Sequence, residues 1–215
     1  MSDTRTFNQN CRACKRLATF LDETRASYPD YFCKPVPAFG EDDPALLIVG
    51  LAPGMHGANR TGRPFTGDYA GVLLYETLYK YGFSTAPVSS SADDGLLLRS
   101  CRITNAVKCL PPANKPTTGE IRQCNDFLAE ELNHLSDPAI ILALGKIAHD
   151  SVLRACNLKL SSFKFAHGAR HALPDGKLLV DSYHCSRYNT QTRRLTESMF
   201  HDVFSHIRNM IDSSQ

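Results

Sequence analysis

No apolar run in this chain approaches the length of a membrane-crossing helix, and the opening Met1-Ser-Asp-Thr-Arg-Thr6 lacks the apolar core of a secretory signal. The expectation is a cytoplasmic protein. Net charge is also scarce, at +2, so global charge does not point to a nucleic-acid partner and any such argument must come from local clusters. Internal repeats are absent, as is the G-x-G-x-x-G of dinucleotide binding. Gly57 to Gly62 does give G-x-x-x-x-G, but Arg63-Pro64 follows where a phosphate loop needs lysine and then a hydroxyl for Mg²⁺. Proline has neither hydroxyl nor amide hydrogen, so the nucleotide-phosphate reading fails.

What is present is a 215-residue chain, 42% hydrophobic, long enough to bury one substantial core as a single domain, 1–215. Four short apolar runs read as buried strands: Leu46 to Gly50, Arg102 to Val107, Ala139 to Gly145 and Lys177 to Tyr183. Helix-like segments lie between and after them, at Val72–Tyr81, Thr118–Leu135, Lys146–Ala155 and Thr192–Ile211. Strands separated by helices imply crossover connections, hence an α/β fold with a mostly parallel sheet between two helical layers. In such sheets ligands gather at the carboxyl ends of the strands. Three strands here end in chemically unusual loops: the segment after Gly50, Asn105 to Cys109, and His184 to Asn189. These loops are expected to converge. The polar segment Ser84–Gly95 carries no assigned role.

Six of the 13 glycines fall between Gly50 and Gly71, which suits close approach of a ligand or another backbone. The loop carries His56, Asn59, Arg60, Arg63, Phe65 and Asp68, more reactive and stacking groups than a plain chain reversal needs. An aromatic, an amide and a carboxylate on pliable backbone suit a flat heterocycle taken out of a nucleic-acid stack. Of the eight cysteines, Cys11 and Cys14 form a C-x-x-C, and Cys109 and Cys124 are candidates to join them. Thr117 and Glu120 form a capping box, and the helix it starts turns Cys124 inward with Ile121 and Leu128. Structural zinc and a four-thiolate iron-sulfur cluster both satisfy four soft ligands, and spacing does not choose between them. Cys33, Cys101 and Cys156 read as packing residues.

The succession C-x-x-C, G-L-A-P-G-M-H-G-A-N-R-T-G-R-P-F-T-G-D, T-N-A-V-K-C-x-P-P-x-N-K-P and H-C-S-R-Y-N-T-Q-T resembles the iron-sulfur branch of the uracil-DNA glycosylase superfamily. The glycine loop is most similar to that of family 5, the type b enzymes. The resemblance runs from Cys11 to about Thr196. It implies a three-layer α/β/α fold with a central four-stranded parallel sheet. It also implies a [4Fe-4S] cluster on Cys11, Cys14, Cys109 and Cys124, enclosed by the N-terminal segment 1–40 and the 109–124 loop. The implied activity is hydrolytic excision of uracil and other deaminated bases from DNA by a monomeric, monofunctional glycosylase, leaving an abasic site.

Carried over by residue, Phe65 is the stacking aromatic, Asn105 reads the base edge, and His184 hydrogen-bonds the base as negative charge builds on it. Ala52, Gly54, His56 and Asn59 complete the expected base pocket. Arg60, Arg63, Ser186, Arg187, Tyr188 and Asn189 are expected to meet the DNA. Most relatives place a polar residue at or beside Ala52, a feature that family 5 lacks. Asp68 becomes the candidate for orienting water, with Asn59 and His56 behind it, against an equal claim that Asp68 simply caps the next helix. Two departures stand out: His184-Cys-Ser186 replaces the usual His-Pro-Ser, and Arg193 stands where glycine is common. The competing readings are a catalytically weak or inactive iron-sulfur module that binds nucleic acid or senses damage, and an iron-sulfur electron carrier or redox sensor.

Overall fold

A computed structural model describes residues 7–213. Six strands form one sheet: β1 (Phe39–Gly40), β2 (Leu46–Gly50), β3 (Cys101–Asn105), β4 (Ile140–Leu144), β5 (Arg170–Ala172) and β6 (Leu178–Ser182). Their spatial order is β1-β3-β2-β4-β6-β5. The four inner strands are mutually parallel, as the sequence predicts, and the short β1 and β5 extend the sheet antiparallel at its two edges. Every residue of β2 and β4 is buried, the continuous apolar pattern of parallel strands covered on both faces.

The helices are α1 (Lys15–Ser27), α2 (Ala58–Thr61), α3 (Tyr69–Lys80), α4 (Thr118–Asn133), α5 (Lys146–Ala155), α6 (Arg187–Gln191) and α7 (Glu197–Ser213). Alternate strand residues feed two cores. Leu46, Ile48, Ile103 and Leu142 pack with Leu74, Leu78, Phe200 and Phe204 of α3 and α7. Leu47, Val49, Ile141 and Ala143 pack with Leu128, Val152 and Leu153 of α4 and α5 on the other face. This is the three-layer arrangement. From β2 the chain crosses by α3 to β3 on one side, then by α4 to β4 on the other. Their carboxyl ends therefore open a crevice of the kind that holds ligands in doubly wound sheets.

Three local departures from the sequence reading matter. Helix α1, with Cys14 at its N-cap position, was not anticipated. The C-terminal helix starts at Glu197 rather than Thr192, after a turn in which Arg193 has φ +55°, and the short α6 precedes that turn. That left-handed conformation is the physical reason glycine suits the position. The Ser84–Gly95 segment has a structural task, since Ser89 and Asp94 receive the Arg63 guanidinium. Among the described residues no helix is long and apolar enough to cross a membrane.

Candidate active site

The loop that leaves β2 is shaped by the side chains it surrounds. Gly50 pairs with Asn105 across β2 and β3, and a Cβ at Gly50 would lie 2.4 Å from Asn105 Oδ1 and 2.7 Å from the Phe65 ring. At Gly57 a Cβ would lie 2.5 Å from Asp68 Oδ2. The glycines thus clear space first for the protein's own amide, ring and carboxylate. Phe65 is buried and held at φ +54°, a sparsely populated conformation for an aromatic and the kind of strain that gathers at functional sites.

These groups line one cleft of about 600 Å³ at the carboxyl ends of the parallel strands. The structure brings Phe65, Asn105 and His184 together there, with Ala52, Gly54, His56 and Asp68 from the loop and Ser186 and Arg187 from the start of α6. Two buried polar atoms facing this region have no protein partner: Asn105 Oδ1 and His184 Nδ1. Such atoms are costly to bury unless something satisfies them. His184 borders the cleft half-buried, and burial depresses its pKa to about 4, so the imidazole is neutral at physiological pH. Its main-chain carbonyl accepts a hydrogen bond from Asn189 Nδ2 at 2.8 Å.

Asp68 holds both positions weighed for it. Oδ1 accepts from the Gly71 amide at 2.9 Å and caps α3, while Oδ2 points past Gly54 and Gly57 toward the cleft. Burial raises its pKa against the lowering effect of the Gly71 and Ala70 amides.

Not every expected residue lies in the cleft. Arg63 is buried: its guanidinium is taken by Asp94 at 2.7 Å, Ser89 at 3.0 Å and the Ala92 carbonyl at 2.6 Å, and it lies over the Phe39 ring. A guanidinium so engaged does not reach a DNA phosphate, and that assignment is corrected. Asn59 is fully buried beneath the loop, its amide nitrogen 3.5 Å from Cys33 Sγ, so it does not border the cleft. Asn189 is turned inward to His184 rather than outward. Ser186 caps α6 through the Asn189 amide, and Arg60 is exposed, its Nε bonded to the His56 carbonyl. Arg187 lies over the Tyr69 ring, and Tyr188 is 71% exposed.

Sequence reasoning missed the aromatic rim. Tyr28 and Tyr31 stack with centroids 4.6 Å apart, and the Tyr31 hydroxyl meets His56 Nδ1 at 2.9 Å. Asn114, at φ +55°, and Tyr69 also border the cleft. Both were legible only as parts of a proline-rich loop and a helix start.

Cys11, Cys14, Cys109 and Cys124 surround one small cavity beside the cleft, all as free thiols. Cys124 Sγ accepts from the Lys108 amide at 3.3 Å. Burial pushes the Cys124 thiol up to about 11, and burial with the neighbouring cysteines raises Cys109. Ala52 packs on this cluster as well as bordering the cleft, which accounts for its small side chain.

Comparison with known proteins is concordant. The chain is 46% identical over 198 residues, 90% of each chain, to the type-5 uracil-DNA glycosylase of Thermus thermophilus. Identity to the type-5 enzyme of Mycobacterium leprae is 43% over 202 residues, covering 90% of this chain and 88% of that one. With the type-4 uracil-DNA glycosylase of Archaeoglobus fulgidus it is 30% over 200 residues, covering 90% and 86%. The sequence profile of the uracil DNA glycosylase superfamily matches residues 37–208, a span that contains the whole cleft and all six strands. The chain therefore belongs to the uracil-DNA glycosylase superfamily.

Proposed function

We propose that this chain excises uracil from DNA by hydrolysis of the N-glycosidic bond, as a monofunctional glycosylase that leaves an abasic site. The observation that carries the reading is the unpaired, buried Oδ1 of Asn105. Uracil presents an imide N–H between two carbonyl oxygens, whereas cytosine presents a bare ring nitrogen at the same place. An acceptor fixed by the strand end and walled by Gly50 and Phe65 pairs with the first and meets a lone pair of the second. Extrusion of the base from the duplex brings it onto Phe65.

Bond breaking leaves a cation-like sugar and a uracil anion. A neutral imidazole at His184 offers an N–H to the base oxygen on which that charge collects, and Asn189 holds the main chain that aims it. Asp68, with one oxygen facing the cleft, orients water or opposes the sugar's positive charge. The one lysine of the three converging loops, Lys108, is buried and bonded to Glu131 and Thr104, so its amine is not free to form a covalent adduct with the sugar. Intact, unpaired recognition groups weigh against a decayed binding module, and an electron carrier would leave them without a task.

Cys11, Cys14, Cys109 and Cys124 are the ligands we propose for a [4Fe-4S] cluster, supported by their common cavity and by the resemblance of their motifs to the iron-sulfur branch. When bound it supplies a cross-link rather than a reacting group. One sheet joins all the strands among the described residues, which supports a single domain.

The test is excision from oligonucleotides carrying uracil, hypoxanthine or xanthine, single-stranded and paired, followed by alkaline cleavage. Uracil release that falls by about 10²–10³ in Asn105→Ala and His184→Ala is expected. Binding without release under all conditions of pH and salt would falsify the proposal.

A further inference from the structure

On the side of the sheet away from the cleft's glycine loop lies a second cluster of chemically active side chains. His149 of α5, His171 of β5 and Asp181 of β6 place one ligand atom each within 4.8 Å of one another, and among the described residues they are the one three-member group that does so. Asp181 is wholly buried, with Oδ1 2.8 Å from His149 Nδ1 and Oδ2 3.2 Å from His171 Nε2.

His149 cannot satisfy its surroundings as a neutral ring. Nδ1 faces a carboxylate and Nε2 faces the Phe163 carbonyl at 3.1 Å, and both partners only accept. A neutral imidazole carries one N–H. Either the ring holds a second proton, or the nitrogen facing Asp181 uses its lone pair on a cation. The second solution leaves Nε2–H donating to a main-chain carbonyl, the outer contact that metal-bound histidines commonly make. It also supplies the positive charge that a buried carboxylate needs.

We propose that His149 Nδ1, His171 Nε2 and the Asp181 carboxylate form a binding site for a divalent transition-metal ion of the zinc type. Two imidazoles and one carboxylate are a donor set suited to Zn²⁺, with water as the fourth ligand. Ligands about 2.1 Å from the ion stand about 3.4 Å apart, so the 2.8 Å and 3.2 Å contacts, which end on different oxygens of Asp181, open by about 0.6 and 0.2 Å on binding. The surroundings suit a closed structural site: the edges of the Phe165 and Phe163 rings pack against His149 and His171. His171 alone keeps some exposure and gives the ion its path in. On binding, the proton of His149 Nδ1 leaves to solvent and His171 carries its proton on Nδ1. The bound ion would tie α5, the edge strand and β6 together three residues before His184. The inference does not depend on the glycosylase reading or on the four cysteines.

The test is calorimetric titration of Zn²⁺ into the full-length, iron-loaded protein after chelator treatment that leaves its iron content unchanged. One site of submicromolar affinity is expected, with release of about one proton, read from the heats in buffers of different ionisation enthalpy. Affinity should fall at least tenfold in His171→Ala, which removes a partly exposed edge-strand side chain, and in His149→Gln. It should be unchanged in Val88→Ala, which alters an exposed side chain on another loop. Absence of saturable binding to the iron-loaded protein overturns the proposal. So does binding that survives His171→Ala and His149→Gln, or that appears only in Cys11→Ser protein lacking iron.

Discussion

The rings of Phe65 and His184 lie 27° from parallel with centroids 5.8 Å apart. A base sandwiched between two rings needs about 7 Å, twice the stacking interval. The gap is too narrow for that, so in the proposed reaction the base would stack on the free part of Phe65 and meet His184 by its edge. Phe65→Ala should therefore lose one stacking contact of about 1–3 kcal/mol, a fall of roughly 5- to 150-fold in kcat/KM for uracil release. Phe65→Tyr should keep most of the activity. Single-turnover excision from a uracil oligonucleotide distinguishes the two variants.

Gly50→Ala separates the site from the fold. The added methyl would meet Asn105 Oδ1 at 2.4 Å and the Phe65 ring at 2.7 Å, so both recognition groups must move. Excision should drop by at least about 10²-fold, since roughly ångström misplacement carries that cost. The strand itself remains paired on both sides. A circular dichroism spectrum and cooperative melting close to those of the parent should accompany the loss. Retained excision would show that the amide has room to adjust.

Much of this was legible in the chain, and the limits have physical causes. Leu46–Gly50 and Lys146–Ala155 appear with the boundaries read from sequence, because buried parallel strands and amphipathic helices have strong periodic signals. Phe39–Gly40 and Arg170–Ala172 are too short to show any period. The three site residues were found by their motifs. The fate of Arg63 was not, because it depends on Asp94 far along a loop with no pattern of its own. The same holds for Asn59, whose partner Cys33 is set by tertiary packing.

Arg63→Ala should act on stability rather than on DNA affinity. The ion pair with Asp94 is largely buried. Burial would raise the Asp94 pKa, but the Arg63 hydrogen bond and the amides of Leu96, Ser90 and Ser91 prevail and hold it at about 2. Removing the guanidinium strands that carboxylate, at a cost of about 3–5 kcal/mol. Urea denaturation should show the loss. The salt dependence of DNA binding should keep the parent slope, whereas Arg60→Ala should reduce it by about one.

Cys124→Ser tests the cross-link. If four thiolates hold one cluster, the serine variant loses visible absorption and iron together. It also frees the N-terminal pair Cys11 and Cys14 from the loop and helix that carry Cys109 and Cys124. By analogy with a covalent link closing a similarly long loop, stability should fall by about 4 kcal/mol. Iron analysis and thermal melting on the same sample check it, and a parent protein that holds no iron would contradict it.

Asp68→Asn resolves the two tasks of Asp68, because asparagine caps a helix about as well as aspartate but carries no charge. The cap to Gly71 therefore survives in the variant, and α3 with it. Burial raises the Asp68 pKa in the folded protein, so folding favours its protonated form, and stability falls as pH rises through that window. Removing the ionisable group makes the variant at least as stable as the parent at neutral pH. Any loss of rate there belongs to the carboxylate's role in the cleft. The parent rate should decline as pH falls through the raised Asp68 pKa, and again as His184 is protonated at about 4. Only the second step should remain in the Asn variant, at a kcat reduced by about 10²-fold. An unchanged kcat and an unchanged profile would leave Asp68 as a helix cap alone.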